Sequence, residues 1–168
     1  MALIQFTGTS AHTSGELPAV GSIAPDFELT KRDLTQIALK DFKGKKMVLN
    51  VFPSLETDTC ALSVRAFNSL AAKMENTTVL CISRDLPFAQ SRFCGAEGIN
   101  RVMMLSDYKD KGFAEAYGLL FTDGPFEGLL ARAVIVLDEN RRIVYTEMVK
   151  NIGVEPNYKS ALEALQND

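Results

Sequence analysis

The sequence predicts an α/β fold in which a central mixed sheet is flanked by helices. Two nearly continuous apolar runs, Lys46–Phe52 and Thr77–Ile82, are typical of strands buried on both faces. A helical pattern between them extends from about Thr57 to Met74. Two adjacent strand patterns near the C-terminus, Ala131–Leu137 and Ile143–Met148, have no helix between them, which favours a mixed sheet.

The elements at both ends of the first helix pattern are predicted in the same way. Leu3–Phe6 is expected to form part of a small N-terminal β-hairpin, and Gly8–Ser22, rich in Gly, Ser, Thr and Pro, is expected to form turns. A short helix after the second buried strand is expected to have Asp85 as its N-cap and Pro87 in its first turn. Gly95 is expected to end that helix.

Four further elements complete the pattern. Val102–Leu105 is predicted to be a strand, Gly112–Tyr117 a helix, Asp138–Arg142 a turn and Tyr158–Leu165 an amphipathic helix. This succession of strands and helices is the one expected of a thioredoxin-like fold. The chain of 168 residues is long enough for one domain with a sizeable core, so residues 1–168 are predicted to form a single domain.

The composition argues against several classes of partner. Hydrophobic residues make up 46% and charged residues 23% of the chain, as in ordinary globular proteins. The formal net charge of −3 provides no basic surplus, so neither nucleic acid nor an anionic membrane is expected as a partner. No segment approaches the roughly 20 apolar residues of a spanning helix, and Met1–Ser10 lacks the features of a secretory signal. The cytoplasm is therefore the expected location.

The cysteines and the histidine indicate neither a disulfide scaffold nor a metal site. An odd number of cysteines, Cys60, Cys81 and Cys94, indicates free or catalytic thiols. No Cys-x-x-Cys pair occurs, which argues against a plain dithiol oxidoreductase. His12 is interpreted as a solvated loop residue, because a zinc ligand needs companions, and no metal or cofactor is predicted. Cys81, inside a buried strand, is interpreted as a core residue.

Cys60 has a position that favours chemistry. It follows the buried strand 46–52 within one loop, and active sites of open α/β sheets lie at the carboxyl ends of strands. With Thr57 as N-cap, Cys60 would be the third helical residue, near the partial positive charge of the helix N-terminus. Cysteines so placed can have a pKa lowered from about 8.5 to about 3.5–7.5. Its helix face is apolar, however, so these residues alone also allow Cys60 to be a small core side chain.

The residues around Cys60 and three other stretches resemble a known family. Pro53, Thr57 and Cys60 match Pro-x-x-x-Thr-x-x-Cys, the signature of the peroxiredoxins. Across nearly the whole chain the sequence is similar to the bacterial thiol peroxidase subfamily. The most similar stretches are Gly21-Ser22-x-Ala24-Pro25-x-Phe27, Val48–Cys60, Asp85–Gly98 and Gly128-Leu129-x-Ala131-Arg132-Ala133.

The resemblance implies a role for each matching residue. Cys60 would be the peroxidatic cysteine, and Thr57 would provide the hydroxyl that holds the peroxide. Pro53 would shield the thiolate, and Arg132 would lower the pKa of the cysteine and orient the substrate. Cys94 would be the resolving cysteine, which forms a disulfide with Cys60 within one chain.

The resemblance also implies an activity and its partners. The expected enzyme is a thioredoxin-dependent thiol peroxidase that reduces hydrogen peroxide and organic hydroperoxides, alkyl and lipid hydroperoxides above all. It would form a homodimer through the loops around the active site. A different class of function stays open, namely a peroxide-sensing redox switch or chaperone-like binding protein with Cys60 and Cys94 as its switch.

Several residues also allow simpler interpretations or depart from the family. From the residues alone, Arg132 at the start of a strand is typical of an exposed ion pair, and Cys94 of a tolerated semi-buried thiol. Glu56 stands where the family leads us to expect Asp, and Asp58 where we expect a neutral residue. Two carboxylates near a thiolate should tend to raise its pKa.

The two cysteines are expected to need a local rearrangement before they can bond. A disulfide requires Cα atoms about 5.5 Å apart. Two helix ends that both pack inward around a pocket are not expected to be so close in the reduced protein. The sequence therefore predicts that oxidation unwinds the first turn after Thr57 and the last turn before Gly95.

Overall fold

A computed structural model describes residues 1–166 of the chain, and its strands form two sheets. A small antiparallel hairpin is made of β1 (Leu3–Phe6) and β2 (Thr9–His12). The larger sheet has seven strands in the order β4-β3-β7-β6-β5-β8-β9. These strands are β3 (Glu28–Lys31), β4 (Gln36–Ala38), β5 (Lys46–Val51), β6 (Thr77–Ser83), β7 (Met103–Ser106), β8 (Ala133–Leu137) and β9 (Ile143–Met148).

The larger sheet is mixed, as predicted. Strands β5, β6 and β7 are parallel neighbours, whereas β8 runs antiparallel to β5 and β9 antiparallel to β8. The helices are α1 (Asp58–Leu70), α2 (Pro87–Glu97), α3 (Gly112–Ala116) and α4 (Tyr158–Gln166), with 3-10 turns at Leu39–Asp41 and Ala71–Lys73. In the part of the chain that the structure describes, no helix is long and apolar enough to cross a membrane.

The hairpin of β3 and β4 was not predicted from the sequence. Each strand is only three or four residues long and lacks a continuous apolar run. Leu34 in the connecting turn adopts a left-handed φ of 73°, and the Asp33 carboxylate accepts the Thr35 amide, which fixes the turn. The burial of β3 comes from its pairing with β7, where Thr30 lies opposite Ser106. A contact so distant in sequence leaves no local signal.

The prediction that α2 begins with an Asp85 cap and ends at Gly95 is wrong at both ends. Leu86 is the N-cap, and its apolar side chain accepts no bond from the helix amides. The Asp85 carboxylate is bound to the loop before α1 instead. The helix continues through Gly95 to Glu97 and ends at Gly98, which has a left-handed φ of 66°. A glycine ends a helix where the backbone turns left-handed, and that turn occurs at Gly98.

The sheet separates two apolar clusters, and the three cysteines lie in one of them. Alternate residues of β5 face opposite sides, so Leu49 belongs to one cluster and Val48 to the other. The second cluster includes side chains from α1, α2 and α4, among them Cys60, Cys94 and Phe67. The helices that carry Cys60 and Cys94 therefore pack on the same face of the sheet.

Candidate active site

Cys60 lies at the start of α1, fully buried, at the carboxyl edge of the sheet. Strand β5 ends at Val51, Pro53 is buried just beyond it, and α1 begins at Asp58, which makes Cys60 the third helical residue, as predicted. Thr57 is the N-cap by its extended backbone. Its hydroxyl does not cap the helix but donates to the Ser54 carbonyl at 3.1 Å.

Arg132 contacts the sulfur of Cys60. It comes directly before β8, whose first residue, Ala133, pairs with Val51 at the end of β5. The pairing brings Arg132 beside the Cys60 loop, where its Nη1 donates to Cys60 Sγ at 3.3 Å. The side chain is only 2% exposed, so the interpretation of Arg132 as an exposed ion pair is wrong. The contact therefore places a buried permanent positive charge against the sulfur of Cys60.

The segment 151–155 holds Arg132 from the other side. Arg132 Nη2 donates to the Ile152 carbonyl at 2.8 Å, and Thr59 in the first turn of α1 donates to the Gly153 carbonyl at 3.4 Å. The buried Nε of Arg132 has no acceptor among the described residues. Two of the three guanidinium nitrogens are thus fixed, and the third keeps a donor for a small oxygen ligand. The sequence did not reveal this anchor because backbone carbonyls leave no residue-type signal.

Cys94 is buried inside α2, one turn before the end of the helix. Its side chain is 3% exposed and packs in the same cluster as Cys60. Burial raises the pKa of the Cys94 thiol, and the positive charge of Arg32 acts in the opposite direction. The carbonyl of Cys94 accepts the amides of Gly98 and Ile99 at the helix end. The three cysteines are free, so the structure represents the reduced protein.

Cys81 is the core residue that the sequence predicted. It is fully buried in β6, where Asn50 Nδ2 donates to its sulfur at 3.7 Å. Burial raises the pKa of Cys81 to about 12, so it stays a thiol at neutral pH.

The two carboxylates that depart from the family pattern are exposed and lie near arginines. Glu56 forms an ion pair with Arg92 of α2 at 2.5 Å. Asp58 lies near Arg65, whose pKa is raised mainly by its hydrogen bond to Glu97 and to a smaller extent by Asp58. Two ion pairs, Glu56–Arg92 and Arg65–Glu97, therefore join the region of α1 to α2 across a surface groove. The effect expected of Glu56 and Asp58 on Cys60 stays a prediction.

His12 is less isolated than the sequence indicated. It is the last residue of β2, and its Nδ1 lies 2.8 Å from the Asp123 carboxylate. The described residues contain no group of three or more His, Cys, Asp or Glu side chains that could hold a metal ion.

Comparisons with known proteins place this geometry in a family. Residues 19–162 match the redoxin family. The chain is 52% identical to the thiol peroxidase of Corynebacterium glutamicum over 165 residues, covering 98% of this chain and 99% of that protein. The chain belongs to the peroxiredoxins. The thiol peroxidase of Mycobacterium tuberculosis is also similar, at 53% identity over the same coverage. Membership in the thiol peroxidase subfamily, inferred from the motifs, is confirmed.

Solved structures confirm the thioredoxin-like fold of this peroxiredoxin. A peroxiredoxin-like protein from Aquifex aeolicus superimposes with a TM-score of 0.93 at 32% identity, covering 99% of this chain and 97% of that one. A thiol peroxidase from Chromobacterium violaceum superimposes with a TM-score of 0.92 at 21% identity and the same coverage, which shows the fold alone. The prediction of an enzyme of the peroxidase class is confirmed by the family.

Proposed function

We propose that this peroxiredoxin reduces hydroperoxides with the thiolate of Cys60 and that Cys94 resolves the oxidised product within the same chain. The contact of Arg132 Nη1 with Cys60 Sγ at 3.3 Å is the observation that carries the proposal. It pairs a buried sulfur with a buried permanent cation. A core cysteine without a reaction has no need of such a neighbour, as the surroundings of Cys81 illustrate.

In the first step the Cys60 thiolate attacks the terminal oxygen of the hydroperoxide. The sulfur–oxygen bond forms as the oxygen–oxygen bond breaks; the sulfur is oxidised to sulfenic acid and the peroxide is reduced to an alcohol or water. Donors fixed around the departing oxygen stabilise its charge as it develops, which is where binding accelerates a reaction. Arg132 Nε is the donor we assign to this task. The Thr57 hydroxyl, whose proton is donated to the Ser54 carbonyl, keeps acceptor capacity for the O–H of the hydroperoxide, and buried Pro53 limits the access of water.

In the second step the Cys94 thiolate attacks the sulfur of the Cys60 sulfenic acid. The sulfur–oxygen bond breaks, hydroxide leaves and takes up a proton to become water, and a disulfide forms. An external dithiol, for which we propose thioredoxin, then reduces the disulfide by exchange and restores both thiols. An odd number of cysteines without a disulfide scaffold is typical of a reducing compartment, and the cytoplasm is the location we propose.

Disulfide formation is proposed to unwind the helix ends that hold both cysteines. Because α2 extends to Glu97, the unwound turn would include the bonds that the Cys94 carbonyl accepts from Gly98 and Ile99. Amide hydrogen exchange tests this proposal: protection across 57–64 and 88–97 should be lower in the oxidised than in the reduced protein. Equal or higher protection in both segments after oxidation contradicts local unfolding.

Substrate range and assembly follow the same proposal. We propose hydrogen peroxide and organic hydroperoxides, alkyl and lipid hydroperoxides above all, as substrates.

We also propose a homodimer in which the start of α2 lies at the contact. Leu86 and Phe88 at that place are 51% and 67% exposed, a local apolar surface that a second copy would cover. Equilibrium sedimentation of the wild type and of Phe88→Asp tests the contact, because the dissociation constant of the dimer should be higher for the variant than for the wild type.

Mass spectrometry after one equivalent of peroxide tests the chemistry. Intact and digested protein should contain a Cys60–Cys94 linked peptide and an unmodified Cys81. Oxidation confined to Cys81, or a linkage that excludes Cys60, contradicts the proposal. The alternative of a peroxide sensor or chaperone-like protein is separated by turnover, because a sensor reacts once, whereas the enzyme consumes many equivalents of peroxide in the presence of the dithiol.

A further inference from the structure

The carboxylate of Asp85 is bound to the loop that precedes Cys60. Asp85 Oδ1 accepts the Ser54 hydroxyl at 2.8 Å, and Oδ2 accepts the Leu55 amide at 2.9 Å. Oδ2 also accepts the hydroxyl of Ser83, the last residue of β6, at 2.6 Å. One half-buried side chain therefore joins the loop 53–57 to the carboxyl edge of the sheet.

The bonds continue from Ser54 to the start of α1. The Ser54 carbonyl accepts both the Thr57 amide at 3.2 Å and the Thr57 hydroxyl at 3.1 Å. The Thr57 carbonyl in turn accepts the Ala61 amide, which is the first intrahelical bond. Fixing Ser54 through Asp85 therefore fixes Thr57 and the helical turn that contains Cys60.

Asp85 is connected to the helix of Cys94 as well. It lies two positions before Pro87, the first residue of α2. The Ser83 hydroxyl that it accepts also lies 3.3 Å from the buried amide of Gln90, whose Nε2 donates to the Leu105 carbonyl on β7. An aspartate this close to a helix start commonly caps the helix, but here the carboxylate is bound to the loop of Cys60 instead.

We propose that Asp85 is a positioning residue of the peroxidase: it holds the loop of Cys60 and the start of α2 in the reduced arrangement. It must release Ser54 and Leu55 before Cys60 and Cys94 can bond. The inference rests on the proposed function, because it assigns Asp85 a part in the passage between the two cysteine reactions. It acts through Ser54 and Thr57 and does not touch the sulfur.

Asp85→Asn is the test variant, because it keeps the size of the side chain and removes one acceptor atom. An amide nitrogen at the place of Oδ2 has no lone pair for the Leu55 amide or the Ser83 hydroxyl. The rate of Cys60 oxidation in single-turnover stopped flow should fall about tenfold, the factor expected from one lost hydrogen bond to a charged acceptor. Ser54→Ala removes the bond to Asp85 Oδ1 and the 3.2 Å bond that the Ser54 hydroxyl accepts from the Glu56 amide, but it leaves both bonds to Asp85 Oδ2 in place. It should change the same rate in the same direction by a smaller factor.

The decisive measurement is the fate of the sulfenic acid when peroxide is in excess. A second peroxide oxidises it to sulfinic acid while Cys60 stays in its folded site, whereas loosening of the loop leads to the disulfide. Both variants should give a smaller ratio of sulfinic acid to disulfide than the wild type, measured by mass spectrometry of the Cys60 peptide. A general loss of stability would lower the melting temperature without changing this ratio.

Asp138→Asn is the matched control. Its carboxylate also accepts two backbone amides, those of Asn140 and Arg142, but at the opposite end of the sheet. We expect the oxidation rate and the product ratio of this variant to equal those of the wild type. If Asp85→Asn and Ser54→Ala keep the wild-type ratio while the wild type forms the Cys60–Cys94 disulfide, the inference about Asp85 is wrong. If the wild type forms no such disulfide, the proposed function itself is wrong.

Discussion

Cys60 and Cys94 lie in the same apolar layer, on helices that pack on the same face of the sheet, yet their surroundings differ. The sulfur of Cys60, which lies at the N-terminus of α1, accepts a hydrogen bond from the buried Arg132. Cys94 is enclosed within a helix, where burial raises the pKa of its thiol and the charge of Arg32 acts in the opposite direction. The two buried thiols therefore differ in their surroundings: a guanidinium contacts the sulfur of Cys60, whereas burial at Cys94 penalises the anion and raises the pKa of the thiol. In the proposed mechanism Cys60 attacks the peroxide from its folded site, and Cys94 becomes a nucleophile after it is released from its helix.

The largest expected effect comes from replacing the sulfur itself. Cys60→Ser should abolish peroxide consumption, because a hydroxyl has no stable anion near neutral pH. Cys94→Ser should keep the first oxidation in a single turnover and lose the disulfide. Both are measured by peroxide consumption and by mass spectrometry of the product. If Cys60→Ser turns over peroxide at more than a small fraction of the wild-type rate, the assignment of different roles to Cys60 and Cys94 is wrong.

Arg132→Lys should slow the peroxide step by about tenfold or more, although the charge is kept. A single ammonium cannot contact Cys60 Sγ and the Ile152 carbonyl with the fixed geometry of a guanidinium, nor supply the third donor. Stopped-flow oxidation under single-turnover conditions measures the effect, and Arg141→Lys, at a distant turn, is the control. A wild-type rate for Arg132→Lys would mean that a positive charge is sufficient and that the guanidinium geometry is not needed.

The resolving step should become faster as the pH rises. Burial raises the pKa of Cys94, so its thiolate is scarce at neutral pH and increases about tenfold per pH unit until the pKa is passed. Arg32→Ala removes the opposing charge and should move this rise to higher pH. The measurement is the rate of disulfide formation after stoichiometric oxidation. A rate independent of pH would show that unwinding, rather than ionisation of Cys94, limits the step.

The smallest expected effect concerns the surface between the two helices. Glu56→Gln breaks the ion pair between Glu56 and Arg92, whose two side chains are both exposed. Exposed pairs contribute little, so the melting temperature should change by about 2 °C or less. Differential scanning calorimetry at low and high salt measures it, with Glu163→Gln, another exposed pair, as the control. A larger change would mean that the pair fixes the relative position of α1 and α2.

The local part of the site was predictable from the sequence, and the distant part was not. The order from β5 through Pro53 and Thr57 to Cys60 follows from a buried strand, a cap and a helical pattern within about 30 residues. Arg132, however, lies 72 positions from Cys60, and only the pairing of β5 with β8 brings them together. Its role came from the family motif, whereas the residues alone favoured a surface ion pair.

The errors at α2 have a related cause. Asp85 and Gly95 both satisfy local rules for helix ends. Whether such a residue ends the helix depends also on contacts with residues distant in sequence, which the local pattern does not show. Asp85 is held by Ser54 and Leu55, and the left-handed turn that ends a helix is adopted by Gly98 instead of Gly95. Which of two suitable glycines ends the helix depends on how the helix packs.

The hydrogen bond between Arg132 and the Ile152 carbonyl affects which changes at position 152 can be tolerated during evolution. Every amino acid carries that carbonyl, so the side chain at position 152 is free to vary in hydrogen-bonding chemistry while the arginine keeps its anchor. What selection must preserve there is the path of the main chain. Because the Ile152 side chain packs against the core, apolar substitutions at position 152 should be tolerated wherever the turn 151–154 keeps its shape. Insertions or deletions in the same turn should be rare among functional descendants.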